Sequence, residues 1–418
     1  MNSHIKTQAK NPFIYDLLVY LFLFSALVVP EQIKFTSIPG VGGLTISRFL
    51  LIVLLPFFLI RITKIPIMVN ERKIVFFSLA FVSFCFISII YNNSSLKWVL
   101  YFIENFILTG LIFLTVFKGI KDYKFLIFII SSILFINIFG LYEFLTGEVL
   151  YSASIVFEDQ YTANIIDGQY RGFQRRNQSV FQNAYSLAIH AMMFLIFLIG
   201  SYKSQKISFF MRAFVWINIV ILLFIIFQSN VRLIIFLSII FLLYEFFYKT
   251  FRRYPLLIIL TIFLLISLNI VDAIVYFYEL FFTQNSHINS IFARLSQFEV
   301  FGSFINNVNI LILGLGPGGA TEEFYKFGLL AIDNMYLSVL LETGVSGLLF
   351  FLIPYMIIFR LSVRYYDFSN TINYFTFLII SILIIFLFNA SKEPFAIYSI
   401  VTYGFLRELY LSKIGHNI

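Results

Sequence analysis

The chain has 418 residues, 60% of them hydrophobic and 12% charged, with a mean hydropathy of +0.93. A water-soluble domain carries about 25% charged residues, so this composition excludes one and places the chain in a bilayer. A single cysteine, Cys85, excludes a disulfide framework and a thiolate metal cluster. The net charge of +8 is spread over short segments instead of forming a stripe, which argues against nucleic acid as a partner.

Windows of about 20 apolar residues, enough to cross a hydrocarbon core about 30 Å thick, predict about 12 membrane helices. In chain order they are 13–30, 44–62, 74–91, 96–117, 125–142, 179–200, 211–228, 231–248, 255–275, 334–359, 372–389 and 394–412. The first follows Lys6 and Lys10 but ends in LVVPEQ, without a small-residue cleavage site, and is read as an uncleaved first helix. Most of the 29 lysines and arginines fall on one side if the N-terminus is cytoplasmic, and each inner segment then carries at least two cations. Both termini are then cytoplasmic. The expected architecture is a single all-α polytopic domain over 1–418.

Two segments on the other side are long enough to carry a site, 143–178 and 276–333. The first contains RGFQRRNQS, in which Arg171, Arg175 and Arg176 gather positive charge against the topological bias. Guanidinium groups suit bidentate recognition of phosphate oxygens; the plainer reading is a solvated loop. In the second, apolar residues at Ile288, Ile291, Phe292, Leu295, Phe298 and Phe301 recur at helical spacing, predicting an amphipathic surface helix over 285–304 that carries Arg294. The stretch 313–348 then reads LGLGPGGATEEFYKFGLLAIDNMYLSVLLETGVSGL: a glycine-rich turn, a polar loop and an Asp-Asn pair leading into an apolar helix. The turn lacks the lysine and Ser/Thr of a nucleotide-binding loop. It either permits a sharp change of direction or cradles an anion with its amides.

Arg232 starts a strongly apolar helix after QSN, where it either reaches the interface or holds an anion. Asp333 is placed as a helix cap or as a general base, with Glu322 and Glu323 as competing carboxylates. Glu104 and Glu342 lie inside predicted membrane helices, where carboxylates face a bundle interior or a wet cavity. The four histidines are far apart in sequence and on both sides of the membrane, so no metal site is expected.

The order of SNVRLIIFLSII, ARLSQFEVF, GLGPGG and DNMYLSVLLETGVSGLLFFL resembles the O-antigen polymerase (Wzy-type) and O-antigen ligase-like membrane glycosyltransferases. The likeness covers about 170–360 by motif and the whole chain by topology. It implies a GT-C-like inner-membrane enzyme acting on undecaprenyl-diphosphate-linked oligosaccharide at the periplasmic face. Transfer would be inverting, with no metal or cofactor, and a chain-length regulator is a candidate partner. By the resemblance Arg232 and Arg294 hold the lipid diphosphate, with Arg171, Arg175 and Arg176 as further candidates, and Asp333 takes the acceptor's proton, a role for which Glu323 competes on the residues alone. Ligases of this group place a histidine where Asp333 stands, so polymerase is the leading expectation. The alternatives are a ligase to lipid A-core and a polyprenyl-linked oligosaccharide flippase or secondary transporter.

Overall fold

The computed structural model describes residues 12–29, 34–38, 42–117, 123–147, 170–171, 174–175, 184–204, 208–229, 231–253, 297, 299–302, 304, 307–326, 332, 334–366, 369–388 and 394–416. Its elements run α1 (Pro12–Val28), β1 (Lys34–Ile38), β2 (Gly42–Thr45), α2 (Ile46–Ile62), α3 (Val69–Asn92), α4 (Lys97–Val116) and α5 (Tyr123–Thr146). Then come β3 (Tyr170–Arg171), β4 (Gln174–Arg175), α6 (Ala184–Ser204), α7 (Phe209–Gln228), α8 (Arg232–Arg253), α9 (Val308–Leu313) and α10 (Gly319–Lys326). The chain closes with α11 (Met335–Arg364), α12 (Asn370–Phe388) and α13 (Phe395–His416). Apart from two small antiparallel hairpins, β1–β2 and β3–β4, everything described is helical.

Among the described residues six helices are long and apolar enough to cross a membrane: α3, α4, α5, α7, α11 and α12. The molecule is a multi-pass membrane protein, and the described residues show six crossing helices where twelve were expected along the chain. Among the described residues α1 and α6 contribute the apolar stretches Phe13–Val28 and Ala184–Gly200, and α2 has 17 residues. Arg407, Glu408 and Lys413 place charge within α13. The predicted span 255–275 lies outside the described residues.

The centre of the bundle is α6, whose side chains from Leu187 to Leu198 are almost wholly covered. It is apolar on every face, as a helix surrounded by other helices must be, and α5, α7, α8 and α12 enclose it. The outer helices bury one stripe and expose another: α2 covers Leu51, Leu54 and Phe58 while Ile52, Phe57 and Ile60 face outward. Such a ring of exposed apolar side chains suits lipid, where it costs nothing. Phenylalanine fills the interior. Phe386 alone is ringed by Tyr336, Phe351, Tyr355 and Tyr398 at 5.2 to 5.9 Å between ring centres.

Two irregularities shape the membrane helices. In α4 the segment Ile103–Leu108 winds as a π-helix. Side chains add to its backbone bonding: Phe106 O and Glu104 O accept from Thr109 N, and also from Ser399 Oγ at 2.6 Å and Thr109 Oγ1 at 2.9 Å respectively. Beside it Gly110 lets α13 approach so closely that a Cβ there would sit 2.1 Å from the Tyr403 ring. The second irregularity is a break in α11 at Gly344, where φ is 71° and ψ −177°.

The helix ends sort into two faces. Arg61 lies over Tyr15, Lys124 pairs with Asp16 at 3.0 Å and Lys203 pairs with Glu245, placing these groups at one end, here the lower. Arg407 Nε lies 3.1 Å from Glu71 Oε1 at the same end, with Arg407 Nη2 also donating to Pro66 O. The opposite, upper end carries β1–β2, the 93–96 turn, the α7–α8 turn, α9, α10 and the start of α11. Phe144 packing on Phe224 (4.9 Å) and Tyr336 Oη bonding Leu383 O (2.9 Å) tie the C-terminal ends of α5, α7 and α12 to that face.

Candidate functional site at the upper end of the bundle

The glycine-rich stretch does not arch freely over the membrane. It descends as the one-and-a-half-turn α9, capped by Asn307, and turns at Gly314–Gly318 against the break in α11. Interrupting α11 at Gly344 strips its preceding carbonyls of their i+4 partners, and a buried orphan of that kind costs about 1–3 kcal/mol. The turn supplies the missing donors. Leu315 N donates to Leu341 O at 2.7 Å and Gly316 N to Glu342 O at 3.0 Å. From α3, Ser88 Oγ donates to the same Glu342 O at 3.0 Å, while Asn92 Nδ2 reaches Gly314 O at 3.1 Å. Irregular backbone at membrane depth survives only when protein satisfies it in this way. Of the two roles read for the turn, the change of direction is the one the backbone performs. Two of the amides an anion cradle would use are already bonded to α11.

Beyond the turn, α10 lies across the upper face as an amphipathic helix. Ala320 and Phe324 are buried with Val300, Leu337 and Leu341 in a small second core, separate from the main one. Glu323 points the other way and is paired with Lys326 three residues on, so this candidate carboxylate is engaged in a local surface pair. Asn334, not its neighbour, caps α11: its Oδ1 accepts from Leu337 N at 3.0 Å. Asp333 itself lies outside the described residues, as do Arg294 and Arg176. Of the expected 285–304 helix the described part, 297, 299–302 and 304, is helical, with Gln297 and Val300 buried and Glu299 exposed.

Arg232 opens α8 at the upper end, exposed, on the face opposite buried Val231, Ile234, Leu237 and Phe241. Within 143–178 the backbone of RGFQRR folds into the β3–β4 hairpin, pairing Tyr170 with Arg175 and Arg171 with Gln174. Arg171 and Arg175 therefore occupy different rungs of one ladder.

A pair that nothing in the sequence links completes the upper end. Arg48, in the first turn of α2, donates through Nε to Glu104 Oε2 at 2.7 Å and through Nη1 to Gly43 O at 2.8 Å. One guanidinium thus ties the β1–β2 hairpin, α2 and the π-turn of α4 together. Both side chains keep some exposure, 14% for Arg48 and 21% for Glu104. The signal that singled out Arg232, a cation in the first turn of an apolar helix on the cation-poor side, applies equally to Arg48. No cluster of three or more His, Cys, Asp or Glu placed to hold a metal occurs among the described residues. No family model matches the chain, and no curated protein matches it.

Proposed function

We propose that the chain is a membrane glycosyltransferase of the O-antigen polymerase kind. It would transfer a glycan from undecaprenyl diphosphate to a lipid-linked repeat unit at the non-cytoplasmic face, from a multi-pass helical scaffold. The observation that carries the reading is the sorting of polar groups between the two ends. Arg232, the β3–β4 segment, the glycine turn, α10 and the Arg48–Glu104 pair belong to the upper end. Cations concentrate at the lower end, at Arg61, Lys124, Lys203, Arg364, Arg407 and Lys413. A cation-rich end faces the cytoplasm, which makes the upper end periplasmic and takes ATP out of its chemistry.

The chemistry fits that address. A lipid diphosphate is already a good leaving group, and arginines can neutralise its developing charge by fixed electrostatics. What remains is a positioned acceptor hydroxyl and one carboxylate to take its proton. Attack from the side opposite the diphosphate inverts the anomeric centre. Arg232 and Arg294, with Arg171, Arg175 and Arg176, are the groups assigned to the diphosphate.

A transporter is the second reading, because broken helices are a transporter device whose free helix ends bind substrate and ions. Here the carbonyls at the break in α11 are already bonded by Leu315, Gly316 and Ser88, which favours the enzyme. Purified protein in liposomes, supplied with undecaprenyl-diphosphate-linked repeats, tests it. A ladder of lengthening glycans is expected, and unchanged single repeats would overturn the proposal. A product joined to lipid A-core instead would identify a ligase.

A further inference from the structure

The geometry points to Glu104 as the catalytic carboxylate of this site, the group that accepts the proton of the attacking sugar hydroxyl, with Arg48 as its positioning residue. The inference rests on the glycosyltransferase reading above and gives it a base. Three observations carry it.

Glu104 belongs to the π-turn of α4, and π-turns, which sacrifice regular hydrogen bonds, recur at functional sites. This one is actively maintained, since Ser399 reaches across from α13 for Phe106 O and Thr109 takes Glu104 O. A carboxylate inside a membrane helix is itself expensive to keep and marks function by default.

The second observation is how the carboxylate is held. Arg48 engages Oε2 alone, and Arg48 is in turn fixed by Gly43 O. Oε1 makes no hydrogen bond to any described residue, and the side chain keeps 21% of its surface. One oxygen is anchored while the other is presented, the arrangement a general base requires.

The third is position. Glu104 lies seven residues into α4, about 10 Å below its upper end at 1.5 Å per residue, and is linked to the β1–β2 hairpin through Arg48. The competing carboxylate Glu323 is paired with Lys326 on the exposed side of α10. In the proposed step the acceptor oxygen bonds to the anomeric carbon and its proton passes to Glu104 Oε1. The bond from the anomeric carbon to the diphosphate oxygen breaks, and its electron pair leaves with the diphosphate.

The test uses the full chain in liposomes with lipid-linked repeats. Glutamine matches glutamate in size and still accepts from Arg48, so E104Q should fold normally. Its kcat should fall by about 10²- to 10⁴-fold with KM unchanged, and E104D should recover part of the loss. E104A should regain at least tenfold in rate on adding sodium formate, which a purely structural role would not allow. Wild-type kcat in E104Q, or no formate rescue of E104A, overturns the assignment. If the wild-type chain itself makes no polymer, it is the glycosyltransferase reading that fails.

Discussion

Gly314 and Gly344 each press against the backbone just before the other. A Cβ on Gly314 would lie 2.3 Å from the carbonyl carbon of Glu342, and one on Gly344 would lie 2.2 Å from the carbonyl oxygen of Ile312. Both residues also have positive φ, 74° and 71°. Neither contact can be relieved by rotating a side chain, because backbone stands on both sides.

G314A and G344A are therefore both expected to be severe. Strained backbone costs about 1–3 kcal/mol and overpacking a further ~1–3 kcal/mol. Thermal unfolding in detergent should show each variant destabilised by more than about 2 kcal/mol. G318A, at a position where a Cβ meets nothing within 4 Å, should suffer only the backbone penalty at its φ of 87° and lose less than either.

At the lower end Glu71 is wholly buried, with one oxygen accepting Met68 N at 2.8 Å and the other facing Arg407. Removing the cation alone leaves a buried charge uncompensated, which costs about 3–5 kcal/mol. R407A should be more destabilising than the double variant E71Q/R407A, measured by chemical denaturation. Equal losses would mean that the pair is not coupled.

The π-turn makes a separate prediction. S399A removes the donor to Phe106 O, and interhelical hydrogen bonds in membranes are worth about 0.6–2 kcal/mol. G110A forces the Tyr403 ring aside and should cost more. Combining G110A with Y403A should recover part of that loss, which a double-mutant cycle on melting temperature would reveal.

For function, R232A and R294A should each reduce polymer formation by about 10²-fold or more, as when a preorganised charge-stabilising group is removed. Membrane insertion should be unchanged. Glycan length in cells, resolved on a gel, is the measurement; full-length ladders in both variants would sink the arginine assignment.

Much of this architecture was legible in the sequence. The predicted spans 44–62, 96–117 and 211–228 overlie α2, α4 and α7 within a few residues, because length and apolarity are local properties. The expected twelve spans compare with six crossing helices among the described residues, and α13 falls short because Arg407 and Glu408 lower its apolarity. The π-turn was invisible: Ile103–Leu108 reads like any apolar helical stretch, and what sustains it, Ser399, lies 293 residues away from Phe106. The break in α11 was half visible. Gly344 and Gly347 stood out in LLETGVSG, but only the docking of Leu315 and Gly316 tells a kinked helix from a merely flexible one. Glu104 was noticed, but nothing in the sequence pairs it with Arg48, 56 positions away.

The contacts of α3 set an order of events during synthesis. Ser88 bonds a residue 254 positions later and Asn92 one 222 positions later. When α3 leaves the ribosome its partners have not yet been translated. Those two polar side chains must therefore be hosted by the insertion machinery, by water or by headgroups until about four-fifths of the chain exists. The seat of the glycine turn is therefore completed late, after α3 and most of the helices around it are already in the bilayer.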